Sequence, residues 1–446
     1  MSTADTSTTI ATLDDSLILR RARTADTDAL TAFHAGILVE EGEDGPSPYT
    51  AAWVRELMSG AHPTFTAGDF TIVETATGEI VSSLCLISQR WTYGGLPFGV
   101  GRIELVSTNP DYRRRGLVRR QMDVVHQWSA ERGELIQGIT GIPNFYRQFG
   151  YEMALNLGGG RIGSVFRVPE LDKDQTEPFN LRPATAADAP LLAALEDEGR
   201  QRWLVTAVRD AAHWRYEIEV AMDPRYTVTV AIVADAAGEA VGSLVHYGEL
   251  SDGRLVVIGC ELVAGLSWLA VMPSLLRALK SRGEAFAEAH ESGPVHELYF
   301  GLGGDHPLYH VLPERLAQVN RAYAWYLRVP DLPAFLRHVA PVLEARLAAS
   351  AATGHSGELL LNFYRGGLRI ELKDGRLTTI EEWTPPDANG GGAAFPGLSF
   401  LQLVFGYRTL AELRHAFADC AVNDDDARVL LEILFPKLPS RVWPID

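Results

Sequence analysis

The sequence predicts a mixed α/β (α+β) chain, with two tandem copies of one mixed-sheet domain followed by a smaller α+β domain. Three observations predict it. The opening "LRRARTADTDALTAF" at Leu19 returns as "LRPATAADAPLLAAL" at Leu181, and the closing "FRVPEL" at Phe166 returns as "LRVPDL" at Leu327, both offset by about 160 residues. Each copy carries three apolar runs joined by Gly-containing turns, then a helical pattern. After Asp331 the order changes to helix, three strands with Gly-Gly and Asp-Gly turns, and further helices. The expected boundaries are a disordered tail over 1–16, then domains over 17–175, 176–330 and 331–446.

The elements follow in order. "MSTADTSTTIATLDDS" is polar and lacks the basic and apolar regions of a signal peptide. In both openings a short strand precedes Thr, Ala and Asp, which cap an apolar helical pattern. Phe70–Thr108 and Tyr226–Val263 each read as three strands. "ERGELIQGITGIPNFYRQFGY" (131–151) parallels "EAHESGPVHELYFGLGGDHPLYHVL" (288–312) as a helix end, a strand and a short helix bearing a Tyr. The apolar run Leu255–Met272 contains Glu261, Gly259 and Gly265, so it reads as strand, turn and helix start rather than a membrane span. In the third domain "DANGGGAAFPG" (387–397) reads as a flexible loop, and "DDDARVLL" as an acidic helix start that complements the dipole.

The net charge is −17, which opposes general binding to nucleic acid or anionic membrane and suits a cationic, amine-bearing substrate. Cys85, Cys260 and Cys420 form no CxxC pair, so they read as reduced thiols in a cytoplasmic protein, with no zinc site. His306 and His310 have metal-like spacing, but Pro307 intervenes and a third ligand is missing, so a loop is the reading. Trp91, Trp203 and Trp214 either line a substrate cleft or pack.

Against this acidic background "NPDYRRRGLVRRQM" (109–122) gathers Arg113, Arg114, Arg115, Arg119 and Arg120. It joins an apolar strand to an amphipathic helix with Leu117, Met122, Val125 and Trp128 on one side. The first N–H groups of a helix point outward unpaired, and the dipole adds positive charge there. Gly116 lets a ligand approach the backbone. The combination is a pyrophosphate cradle. The second copy continues instead as "AGLSWLAVMPSLLRAL", without the arginines.

"VSTNPDYRRRGLVRRQM" resembles the acetyl-CoA loop of GNAT N-acetyltransferases, with Val118 in place of the last Gly/Ala of their pattern. "NFYRQFGYE" resembles the later helix of that fold, where a Tyr faces the CoA sulfur. The layout of two GNAT-like copies and a sterol-carrier-like domain resembles the enhanced intracellular survival (Eis) family.

The resemblance implies an N-acetyltransferase moving acetyl from acetyl-CoA, as co-substrate and without a metal, to a primary amine by direct attack. The acceptor is an aminoglycoside, a lysine side chain or a polyamine. It implies that Val106, Ser107 and Thr108 present backbone groups to the acetyl-pantetheine arm. Arg114, Arg115, Gly116, Leu117, Val118 and Arg119 hold the pyrophosphate, and Gly141 and Ile142 line the far side of the arm. Tyr146 is the expected general acid, since a phenol stays protonated at neutral pH and can protonate a leaving thiolate. The base is either the terminal carboxylate of Asp446, as the family places it, or Glu104, which shares a strand face with Val106. A homohexamer is likewise implied, and neither nucleic acid nor membrane is an expected partner. The alternative from another class is a lipid or sterol carrier whose GNAT halves are vestigial.

Overall fold

The computed structural model describes residues 8–39, 45–219, 228–289 and 293–443. The first part of the chain forms β1 (Thr9–Thr12), β2 (Ile18–Arg21), α1 (Thr27–Ile37), α2 (Pro48–Met58), β3 (Phe70–Glu74), β4 (Ile80–Tyr93), β5 (Leu96–Thr108), α3 (Leu117–Glu131), β6 (Ile136–Ile139) and β7 (Glu152–Leu157). The middle forms β8 (Gly160–Ser164), β9 (Phe179–Pro183), α4 (Ala189–Arg200), β10 (Val205–Ala207), α5 (Ala211–Glu219), β11 (Val228–Asp235), β12 (Ala240–Ser251), β13 (Arg254–Leu262), α6 (Trp268–Ala289), β14 (Glu297–Phe300), α7 (Pro307–Val311), β15 (Gln318–Asn320) and β16 (Tyr323–Arg328). The last part forms α8 (Leu332–Ala348), β17 (Gly357–Asn362), β18 (Gly367–Lys373), β19 (Arg376–Trp383), β20 (Ala393–Ala394), α9 (Phe400–Val404), α10 (Leu410–Ala416), β21 (Ala421–Val422) and α11 (Asp425–Leu434).

The repeated openings have the same atomic cause. Asp26 and Asp188 cap short 3-10 turns by accepting from the backbone of Arg23 and Thr185. Each carboxylate also takes both guanidinium nitrogens of the arginine six residues earlier, Arg20 and Arg182. The Arg, Thr-Ala and Asp spacing thus locks a strand to the start of the following helix.

One sheet runs β1-β2-β3-β4-β5-β6-β16-β7, with β10 on β4, and a second runs β15-β8-β14-β13-β12-β11-β9. Read from β2 and from β9, the two have the same strand order. Each sheet receives its second-last strand from the other half. β8 leaves the first half to pair with β14 and β15, and β16 leaves the second half to insert between β6 and β7. Gly158 and Gly159, both at positive φ, turn the chain out of β7. Gly160 lets β8 approach, since a Cβ there would lie 1.9 Å from the Phe300 carbonyl oxygen. The expected cuts at 175/176 and 330 therefore separate β8 and β16 from the sheets they complete.

Residues 9–12, expected in the tail, pair with β2 and extend the first sheet. The third unit, with sheet order β19-β18-β17-β20-β21, shares one core with the first sheet. Tyr93 on β4 packs edge-on against Phe335 and Phe405 and donates to the Val404 carbonyl at 2.7 Å. The expected flexible loop at 387–397 contains β20, and Asn362 Nδ2 holds its start through the Asp387, Ala388 and Gly390 carbonyls.

The run at Leu255 forms β13 and the start of α6, and no described helix is long and apolar enough to cross a membrane. His306 is the extended N-cap of α7, its Nδ1 accepting from Leu308 N–H at 3.3 Å, while His310 lies within that helix rather than in a loop.

Candidate active site

The site is built around β5. Opposite β4, Ser83 pairs with Ser107 and Cys85 pairs with Glu104, so Leu105 and Val106 together face Leu84. This is a β-bulge, which bends the strand and re-aims its side chains. Leu105 takes φ 54 while fully packed, a left-handed conformation that costs a branched residue about 1–3 kcal/mol. His34 on α1 clamps the bulge. Its Nδ1 hydrogen-bonds Ser107 Oγ at 2.9 Å and its Nε2 hydrogen-bonds Ser83 Oγ at 3.2 Å. Burial pushes its pKa down to about 3, so the ring is neutral at ordinary pH.

On its other side β5 runs parallel to β6 only from Val100↔Ile136 to Arg102↔Gly138. β5 then continues to Thr108 while β6 ends at Ile139, so the strands fork. Glu104 stands at the fork, one-seventh exposed. Its Oε1 accepts from Arg102 Nη2 at 2.6 Å and from Thr140 Oγ1 at 3.3 Å, and among the described residues its Oε2 accepts only from the Leu105 N–H, at 3.3 Å. Arg102 is fully enclosed, lies over the Trp325 ring, and has no hydrogen-bond partner for Nε or Nη1 among the described residues. Gly138 makes room for this layer, since a Cβ there would meet Trp91 at 3.2 Å.

Beyond the bulge, Asn109 Oδ1 accepts from Asp111 N–H and starts a short turn. Arg114 at φ 62 and Gly116 at φ 75 reverse the chain into α3. The N-terminus of α3 has no side-chain cap and no acidic residue in its first turn. Arg113, Arg114, Arg115 and Gly116 are exposed around it. Leu117 turns inward against Leu17, Leu19, Val73 and Val81, while Val118 packs at the edge of the Tyr146 cluster. Gln121 bolts the helix down by accepting from Ser82 Oγ at 2.7 Å and donating to Thr71 Oγ1 at 2.9 Å. An uncapped, arginine-ringed helix end is a site for an anion, and here it stands beside a forked strand pair.

Tyr146 lies on the 3-10 helix Phe145–Phe149 that follows β6. It is 3% exposed, edge-on to Phe145, Tyr151 and Tyr326. Burial pushes its phenol well above the ordinary range, and the Glu104 charge acts in the same direction. Its hydroxyl has no hydrogen-bond partner among the described residues. Arg119 Nη2 donates to Gln148 Oε1 at 3.0 Å and its guanidinium covers Phe149, tying α3 to this helix. The second-half tyrosine differs. Tyr309 donates to the Phe300 carbonyl at 2.7 Å and accepts from Leu302 N–H at 3.2 Å, so its hydroxyl is fully engaged in structure.

The fold therefore brings together Glu104, Val106, Ser107 and Thr108 on one arm of the fork, Gly141 and Ile142 after the other, and Tyr146 below. Ile142 is half exposed, and Gly141 accepts from Tyr323 Oη at 3.5 Å. Asp446 lies outside the described residues. The chain before it threads beside β10, where Arg441 bridges to Thr206, and Trp443 packs on Tyr247. Trp91, Trp203 and Trp214 are all buried in packing positions. His34, Arg102, Thr140 and Tyr326 were not expected from sequence. Arg102 alone left a signal, two residues before Glu104 on the same strand face.

Residues 19–154 match the family model described as acetyltransferase (GNAT) domain. No curated protein matches the chain. Solved structures match over nearly its whole length. A GCN5-related N-acetyltransferase from Kribbella flavida has 19% identity and TM-score 0.65, covering 96% of this chain and 98% of that one. One from Anabaena variabilis has 15% identity and TM-score 0.65, covering 96% and 99%. Eis1 from Mycobacterium abscessus has 17% identity and TM-score 0.59, again covering 96% and 99%. These likenesses establish a shared fold.

Proposed function

We propose that the protein is an acetyl-CoA-dependent N-acetyltransferase acting on a primary amine, with its active site at the fork of β5 and β6. The observation that carries this is the conjunction of the bulged, forked strand with an uncapped helix end ringed by Arg113, Arg114 and Arg115. Arg114, Arg115 and Arg119, with the first N–H groups of α3 from Gly116, Leu117 and Val118, bind the pyrophosphate. Backbone groups of Val106, Ser107 and Thr108 hold the arm, with Gly141 and Ile142 opposite.

A carboxylate takes a proton from the arriving ammonium, since an alkyl amine is protonated at neutral pH. The freed nitrogen attacks the thioester carbonyl, the C–S bond breaks, Tyr146 gives its proton to the departing thiolate, and the proton lost by the acylated nitrogen restores the phenol. Its raised pKa keeps the phenol protonated throughout the working range. Two carboxylates compete as base. Glu104 is at the fork and keeps one lightly used oxygen. The terminal carboxylate of Asp446 is the other. The approach of the chain supports it, because Arg441 makes a parallel bridge to Thr206 of β10, which runs along β4 from Tyr93 to Trp91. That is also the direction from Phe98 to Glu104 on the paired strand.

The repeated strand order supports two GNAT-like halves, the second without a cradle, and the third unit is read as sterol-carrier-like. The amine is an aminoglycoside, lysine side chain or polyamine. The hexameric assembly rests on the Eis resemblance. The buried free thiols Cys85, Cys260 and Cys420 fit a cytoplasmic enzyme. Calorimetric titration separates this reading from a lipid carrier. Saturable binding of acetyl-CoA, without binding of a fatty acid or sterol, is expected, and the reverse pattern would overturn it.

A further inference from the structure

The strand exchange puts a second-half residue into the catalytic layer. Tyr326 lies on β16, opposite Ile139 of β6 and Met153 of β7. Its ring is fully buried and sits edge-on to Tyr146 at 5.7 Å between centroids. Its hydroxyl oxygen accepts the Asn144 N–H at 2.6 Å. Asn144 is the N-terminal flank of the Tyr146 helix and has left-handed backbone at φ 62. Non-glycine residues hold that conformation only when their surroundings impose it. The Asn144 side chain adds to the anchor, its Oδ1 accepting from Arg147 Nη1 at 3.2 Å. Arg147 is in turn held by Glu152 at 2.6 Å.

We propose that Tyr326 is a positioning residue that fixes the Tyr146 hydroxyl at the leaving sulfur by anchoring the Asn144 turn and stacking against the Tyr146 ring. This deepens the function proposed above and rests on Tyr146 being the acid. The second half, which carries no arginine cradle of its own, then takes part in catalysis through the strand it lends. A tyrosine serves here because one side chain supplies both the packing edge and the acceptor for a backbone N–H that the 3-10 helix leaves unpaired.

The test is a double-mutant cycle in the full chain. Tyr326→Phe keeps the ring and removes the acceptor. It is expected to lower kcat by about tenfold, the effect of misplacing an acid that is worth roughly 10²–10⁴-fold. KM for acetyl-CoA and the melting temperature should stay close to wild type. In a Tyr146→Phe background the same change should cost nothing further, because the group it positions is gone. Full additivity of the two losses, or a Tyr326→Phe kcat within twofold of wild type, overturns the inference while leaving Tyr146 as acid. If Tyr146→Phe itself turns over normally, the acid assignment fails and the inference fails with it. Amide hydrogen exchange at Asn144 gives a readout independent of turnover. Faster exchange in Tyr326→Phe is expected, and unchanged exchange contradicts the anchor.

Discussion

Arg102 and Glu104, two residues apart on β5, form an ion pair at 2.6 Å in which the arginine is fully enclosed. The pair sits where β5 and β6 part, so it sets the carboxylate at the mouth of the fork. Two guanidinium nitrogens lack partners among the described residues, and unpaired buried donors cost free energy rather than supply it. The pair is placed for geometry more than for stability. Arg102→Met should therefore destabilise by only about 1–3 kcal/mol, less than for a fully buried pair because Glu104 can rehydrate. Adding Glu104→Gln should recover most of that loss of stability. Denaturant melts check this.

The arginine loop gives a binding prediction. Arg114→Glu with Arg115→Glu should weaken acetyl-CoA by about 10²-fold or more, two charge-assisted contacts being worth about 1.5–3 kcal/mol each. Both residues are exposed, so the melting temperature should hold. Normal calorimetric affinity in the double variant would remove the cradle. Titration of the wild-type chain should also give one acetyl-CoA per chain, because the second half has neither the arginines nor a free tyrosine hydroxyl. Two per chain would contradict that.

His34 links the bulge to acid stability. In the unfolded chain it titrates near 6.5, and in the folded chain near 3. Between these values the unfolded state binds the extra proton, so stability is complete above about pH 6.5 and falls as pH drops towards 3. The slope from one such group is about 1.4 kcal/mol per pH unit. His34→Asn should flatten the curve over that window and raise KM for acetyl-CoA, because the Ser83–Ser107 clamp is lost. An unchanged slope would mean that His34 is not neutral in the fold.

The base is decided by comparison. Glu104→Gln and removal of the last three residues should differ sharply in their effect on kcat, with acetyl-CoA binding kept in both. Loss of rate in the truncated chain alone assigns the base to Asp446, with Asp446→Asn controlling for its side chain. Loss in Glu104→Gln alone assigns it to the strand.

Much of the site was legible because it is local. The arginine loop, the helix it opens and Tyr146 lie within forty residues of sequence, and turn and capping chemistry act over that range. His34, Tyr326 and the exchanged strands were not legible for the opposite reason. The near-continuous apolar run "YAWYLR" fits a buried strand in either sheet, and nothing in Gly158 to Gly160 says which sheet the next strand joins. The His34 clamp joins residues 73 apart, and the Tyr326 anchor joins residues 182 apart. Neither pairing has a local pattern. The tail reading failed at Thr9–Thr12, which gain their order from the β2 edge rather than from their own composition, while residues 1–7 lie outside the described residues.

The most direct test follows thiol release from acetyl-CoA with a panel of amines, in the wild-type chain and in Tyr146→Phe side by side. The account predicts one thiol per acetylated amine in the wild type. In Tyr146→Phe it predicts a kcat lower by about 10²–10⁴-fold with acetyl-CoA still bound. Wild-type protein that binds acetyl-CoA yet releases no thiol with any amine, or a Tyr146→Phe rate within twofold of wild type, would contradict it.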